Sequence, residues 1–133
     1  FVMFLLDTNI CIYLINHNPA HVVERIKEYK PPQIKLSAIS VSELEYGASK
    51  SRNRDKNRIT LMNFISAFDI LPFTAQDAEV FGLIRADLER RGLIIGSYDM
   101  QIASQAISNG LILVTNNTKE FSRIEQLRME NWA

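Results

Sequence analysis

Near the N-terminus the apolar run Val2-Met3-Phe4-Leu5-Leu6 ends on Asp7-Thr8-Asn9. A short, unbroken apolar run reads as a strand buried on both faces, the kind found in the middle of a parallel sheet. In open α/β folds ligands sit outside the carboxyl ends of the strands, and Asp7 falls at that end of its strand. Ile10 to Ile15 follows with apolar character and no break, so a helix is expected from about Asn9. Asp7 or Asn9 could cap that helix. Asp7 alone therefore does not separate a cap from a catalytic acid, and the question becomes whether other carboxylates can join it.

A chain of 133 residues is expected to form one domain, spanning 1–133. With 47% hydrophobic and 23% charged residues it has the composition of a folded globular protein rather than a disordered one. No apolar run approaches the ~20 residues that span a bilayer. No basic segment precedes the first apolar stretch, as a signal peptide would require. The lone cysteine, Cys11, excludes an internal disulfide and a cysteine-based zinc site, and suits a reducing cytoplasm. Fifteen basic and fifteen acidic residues cancel. Contact with nucleic acid would therefore depend on local patches, not on the field of the whole molecule.

Along the chain, Pro19 suits the start of a second helix with Val22, Val23 and Ile26 on its apolar stripe, stopped by Lys30-Pro31-Pro32. Residues 33–39 form a second strand candidate. Ser40-Val41-Ser42-Glu43 has the form of a capping box, which predicts a helix from about Ser40 with Glu43 in its first turn. Residues 50–58 carry five basic residues and one acid and lead into a helix with a broad apolar face (Ile59, Leu61, Met62, Phe64, Ile65, Phe68). A basic helix start opposes the macrodipole, so this patch does not serve helix stability. It is either a solvated face or a contact for a polyanion. Asp69 to Phe73 reads as a short strand, with Pro72 placing it at an edge or marking the strand's end. Ala75 to Arg91 reads as a helix with Ala78, Phe81, Ile84 and Leu88 along one side, and Arg85 shares a flank with Arg90-Arg91. Ser97-Tyr98-Asp99 opens another helix, where an acid is favoured by ~0.3–1 kcal/mol, and Asn109-Gly110 ends it. Leu111 to Thr115 is a second strong buried strand, with Asn116-Asn117-Thr118 at its carboxyl end, and 126–129 is expected to add a last strand. This alternation implies an α/β fold with a parallel sheet and helices on both faces.

Asp7, Glu43, Asp99 and Asn116-Asn117 all fall where a strand or apolar segment hands over to a helix or loop. In a doubly wound sheet those points share one edge. Two like charges 4 Å apart cost ~4 kcal/mol at an effective dielectric of 20, so converging acids would need a cation. An all-oxygen site selects Mg²⁺ or Mn²⁺ over zinc. His17 and His21 read as surface residues. A phosphatase of the aspartyl-phosphate type wants D-x-D, and here the second position is Asn9. A phosphoacceptor domain wants an acidic pair near its first strand, which is missing. Glycine-rich nucleotide loops are absent too.

Four segments, Leu5 to Asn9 with Ile12, Ser42 to Gly47, Ile95 to Ala103 and Val114 to Phe121, resemble in order and separation the successive motifs of PIN-domain ribonucleases. More narrowly they resemble VapC toxins of type II toxin–antitoxin modules. That resemblance implies a PIN-like doubly wound parallel sheet of four to five strands flanked by helices. It implies that Asp7, Glu43 and Asp99 hold Mg²⁺, or Mn²⁺, for hydrolysis of an RNA phosphodiester, with a transfer RNA as the favoured substrate. Many members carry a fourth acid where this chain has Asn117, a weaker and neutral ligand, so a second metal is less expected. Thr8, Asn9, Ser97, Asn116 and Glu120 would support the acids or a phosphate oxygen. Lys50, Arg52, Arg54, Lys56, Arg58 and Arg85 would contact the RNA backbone. The implied partners are a VapB-type antitoxin, a second copy of the chain, and operator DNA reached only through the antitoxin, in the cytoplasm and away from membranes. The alternative is a PIN-like binding subunit, weakly catalytic or inactive, acting within an antitoxin–operator complex.

Overall fold

The computed structural model describes residues 2–133. Its elements in chain order are β1 (Phe4–Leu6), α1 (Thr8–Ile15), α2 (Ala20–Ile26), a 3₁₀ turn (Pro31–Gln33), β2 (Ile34–Ser37), α3 (Ala38–Ser49), α4 (Arg54–Ile65), β3 (Asp69–Leu71), α5 (Ala75–Arg90), α6 (Ser97–Ser108), β4 (Ile112–Val114), α7 (Thr118–Phe121) and β5 (Met129–Glu130). The strands form one sheet in the order β3-β2-β1-β4-β5, and every pairing is parallel. β1 sits at the centre, with Phe4, Leu5 and Leu6 against Ile34, Lys35 and Leu36 on one side and Ile112, Leu113 and Val114 on the other. The strand order reverses there, and the carboxyl ends of β1 and β4 flank the switch point where such sheets bind ligands.

Alternation along β1 divides the core in two. Phe4 and Leu6 face α1 to α4, packing with Ile10, Leu14, Leu44 and Leu61. Leu5 faces the other way, against Leu88, Met100, Ala103 and Phe121. Side chains at successive strand positions point to opposite faces, so an unbroken apolar strand requires cover on both. Pro72 lies just past the edge strand β3, and the Thr74–Asp77 capping box starts α5. Among the described residues no helix is long and apolar enough to cross a membrane.

Four expectations need correction. α3 starts at Ala38 and not near Ser40: the N-cap is Ser37, whose hydroxyl accepts from the Ile39 amide. Ser40 and Glu43 therefore lie inside the helix, and Glu43 is not in its first turn. The Ser37 hydroxyl is better placed to cap because it also donates to the buried Gln105 amide oxygen. The basic segment does not simply lead into the helix, since α4 already begins within it, at Arg54. The apolar face of α4 is only partly covered: Leu61 is buried and Phe64, Ile65 and Phe68 pack against the core, whereas Ile59 and Met62 are 61% and 51% exposed. On α5 the buried positions include Asp77, while Ala78 is exposed. Asp77 is held there by the Thr74 amide, which donates to it at 2.9 Å.

Candidate active site

At the carboxyl end of the sheet lies a cavity of about 650 Å³. Its wall includes Asp7 and Thr8 from the end of β1, Glu43 from α3, Asp99 from α6 and Asn117 after β4. Three carboxylates far apart in sequence thus face one space.

Asp7 leaves β1 with its amide donating to the Val114 carbonyl at 2.9 Å, which ties it to β4. It is 4% exposed. One carboxylate oxygen accepts from the Thr8 amide at 2.8 Å, so Asp7 does cap α1. The other accepts from the Thr115 hydroxyl at 2.8 Å. Burial raises the Asp7 pKa, the bonds from Thr115 and Thr8 pull it back, and the charge of Glu43 raises it further. Thr115 in turn accepts from the Asn117 amide at 3.0 Å, which fixes the turn after β4.

Thr8 links two acids. Its amide serves Asp7, and its hydroxyl donates to Glu43 Oε1 at 2.8 Å. The same hydroxyl lies 3.0 Å from the hydroxyl of Ser40, which is fully buried. Thr8 has a single hydroxyl proton. With that proton on Glu43, the Ser40 hydroxyl donates to Thr8, giving a chain from Ser40 through Thr8 to Glu43. The three-residue spacing of Ser40 and Glu43, read in the sequence as a capping box, places both on one face of α3 toward Thr8.

Asp99 stands in the first turn of α6. Burial first, then the charges of Asp7, Glu120 and Glu43, push its pKa up to about 6. These like charges act on Asp99 with no hydrogen bond to offset them. Among the described residues, no three acid, imidazole or thiol side chains stand close enough to close a metal shell by themselves. The carboxylates share the cavity and repel one another across it, but the arrangement is open. Its donors are carboxylate, amide and hydroxyl oxygens, the set that suits a hard divalent cation, and the raised pKa of Asp99 marks the charge such a cation would offset.

Of the supporting residues, Thr8 and Asn9 line the cavity. Glu120 accepts from the Asn117 side-chain amide at 3.1 Å. Asn116 points away and donates to the Tyr13 hydroxyl at 2.6 Å. Ser97 is exposed at the start of α6. Lys50 alone of the basic residues lines the cavity. Arg52, Arg54 and Lys56 are exposed nearby in sequence. Arg58 pairs with Glu45 at 3.2 Å. Arg85 pairs with Glu89 at 3.0 Å on α5, which packs on the opposite face of the sheet from α3. His17 and His21 have the four-residue spacing of a zinc pair, but His17 precedes the start of α2 in a left-handed conformation (φ 53°), so they share no helix face. Two site residues, Thr115 and Ser40, are not evident from the sequence. Thr115 carries one signal, a hydroxyl closing an otherwise apolar strand. Ser40 carries a misleading one.

The PIN domain family profile matches residues 4–127. Ribonuclease VapC2 of Rickettsia felis is 43% identical over 132 residues, covering 98% of each chain. A protein of Shigella flexneri named tRNA(fMet)-specific endonuclease VapC is 44% identical over 130 residues, again covering 98% of each. Among solved structures, DNA-bound VapBC from Salmonella typhimurium contains a chain that matches with a TM-score of 0.94 and 41% identity, covering 100% of both chains.

Proposed function

Because this chain belongs to the PIN-domain family, and within it to the VapC ribonucleases, we propose that it is a metal-dependent endoribonuclease toxin whose site is the cavity between β1, α3 and α6. One observation supports the site above all others: Asp7, Glu43 and Asp99, from three remote segments, line the same cavity at the switch point of the sheet. Asp7, Glu43 and Asp99 would hold Mg²⁺ or Mn²⁺, with the side chain of Asn117 a neutral neighbour. Bound there, such an ion would offset the crowded charges, acidify a water and neutralise charge building on a phosphate.

The chain's own residues prepare that site. Thr115 and the Thr8 amide hold the two oxygens of Asp7. The Thr8 hydroxyl holds Glu43. Asp99 is left without such a partner, so its charge is the one most in need of a cation. The proposed substrate is a transfer RNA, with tRNA(fMet) the first to try, because one relative at 44% identity carries that specificity in its name. The proposed partners are a VapB-type antitoxin, a second copy of the chain, and operator DNA through the antitoxin, consistent with the DNA-bound VapBC complex among the similar structures. A cytoplasmic setting fits a single cysteine that is buried and free.

The test is cleavage of purified tRNA(fMet) by the antitoxin-free protein with Mg²⁺ or Mn²⁺, compared with Asp7→Asn and Asp99→Asn. Cleavage by wild type and its loss in both variants, at retained folding, is the expected result. Equal cleavage by the variants would remove these residues from the site. A folded wild type that binds RNA but cuts none with either ion would favour the binding-subunit reading.

A further inference from the structure

Glu43, Tyr46, Gly47 and Lys50 recur at three-, four- and seven-residue intervals along α3 and its C-cap, so they lie on one face. All four line the cavity that holds Asp7 and Asp99. At the helical rise per residue, Tyr46 stands ~4.5 Å and Lys50 ~10 Å beyond Glu43 along the axis. Tyr46 is 65% exposed, a large aromatic ring left in water on the wall of the cavity. The Lys50 ammonium lies 4.8 Å from the centre of that ring. A Cβ placed on Gly47 would meet nothing within 4 Å, so the wall beside the ring is open. Across the gap, α4 contributes Asn57 and Thr60.

The order of positions along this face is therefore acid, aromatic ring, glycine, lysine, with the ammonium resting against the ring. A single-stranded nucleotide presents a matching order: a phosphate for the metal-binding end, a flat base, and the next phosphate. We propose that Tyr46 and Lys50 form a subsite for the nucleotide next to the scissile phosphate. Its base stacks on the Tyr46 ring, and Lys50 moves from the ring to the adjoining phosphate. The subsite rests on the nuclease reading and adds to it the requirement for an unstacked base beside the cleaved bond. Stacking tolerates any base, since each has a π face, and the splayed bases of RNA loops are the ones available to it. An apolar side chain of a protein partner could also lie on Tyr46, but it would accept leucine there almost as well, whereas a base requires a ring.

The experiment uses the full chain, free of antitoxin, with Ca²⁺ in place of Mg²⁺ and single-stranded RNA decamers that carry 2-aminopurine at each position in turn. Binding is followed by anisotropy and stacking by quenching of the 2-aminopurine, for wild type, Tyr46→Phe, Tyr46→Leu and Lys50→Met. The expected result is quenching at a defined position with wild type and Tyr46→Phe, its loss with Tyr46→Leu, and binding weaker by roughly 5- to 100-fold in the leucine variant. Lys50→Met should flatten the dependence of log affinity on log salt by ~0.7, the value for one phosphate contact on a single strand. If Tyr46→Leu quenches and binds as wild type does, the subsite is wrong although the nuclease reading stands. The subsite is equally overturned if that variant loses only affinity for a VapB-type antitoxin. A wild type that neither binds nor cuts any RNA, tRNA(fMet) included, overturns both.

Discussion

At the scale of single residues the site depends on a few hydroxyl protons. Glu43 is held by Thr8, and Thr8 by the buried Ser40. Ser40→Ala frees the Thr8 rotor without touching any acid. We expect kcat to fall about tenfold, the lower end of what is lost when a group orienting a metal ligand is removed, with KM nearly constant and with rescue by Ser40→Thr. An unchanged kcat would show that Thr8 holds its place unaided. Thr115→Val removes a donor from a carboxylate that is 4% exposed. Leaving it short of a partner should cost ~1–3 kcal/mol in urea unfolding, and a variant as stable as wild type would refute this. Asp99 sets a pH signature. Its pKa is raised from 3.8 to about 6, so the folded state binds more protons than the unfolded state between those values. Stability of the metal-free protein therefore falls as pH rises through that window, and the penalty is complete above it. Asp99→Asn removes the penalty. Its advantage in melting temperature over wild type should be largest at pH 7 and should close toward pH 4, and a gap that does not change with pH would contradict this origin.

At the scale of elements the start of α3 decides which side chains reach the cavity. Ser37 caps it through the Ile39 amide and also donates to Gln105. Gln105 donates to the Leu71 and Pro72 carbonyls at 3.2 Å each, so the cap of one helix is joined to α6 and to the end of β3. Ser37→Ala loses an N-cap, ~1 kcal/mol, and leaves the buried Gln105 oxygen without its donor, ~1–3 kcal/mol. Chemical denaturation should register about 2–4 kcal/mol for this change but only a few tenths for Ser42→Ala, because the Ser42 hydroxyl is exposed and bonds only the Ala38 carbonyl of its own helix. Equal effects would contradict this role of Ser37.

At the scale of the molecule, the central position of β1 brings the ends of β1 and β4 together, and α3 and α6 close the cavity from opposite faces of the sheet. Folding thus assembles like charges that the isolated segments would keep apart. A cation that binds only the assembled site stabilises the fold by ~2.7 kcal/mol at a hundred times its dissociation constant. Adding Mg²⁺ or Mn²⁺ to chelated protein should raise its melting temperature, and Asp7→Asn should abolish most of that rise. No rise in wild type at millimolar ion would argue against a cation in this cavity.

Much of this was readable along the chain. The runs ending at Leu6 and at Thr115 are apolar without interruption because both faces of their strands are covered, and that pattern identifies central parallel strands from local information alone. Pro72 marked the edge, and Asp7, Glu43, Asp99 and Asn117 were visible at the handover points. What local pattern could not supply was phase and exposure. Three serines could have started α3, and the choice fell to Ser37 because Gln105, 68 positions away in sequence, offers its hydroxyl a buried partner. The same choice made Ser40 a support for Glu43 and set Tyr46 beside Lys50 on the cavity wall. Nor could pattern reveal that Ile59 and Met62 of α4 stay in water while Leu61 beside them is buried. Composition and periodicity record what each segment prefers, and contacts between distant segments determine which of those preferences the folded molecule satisfies.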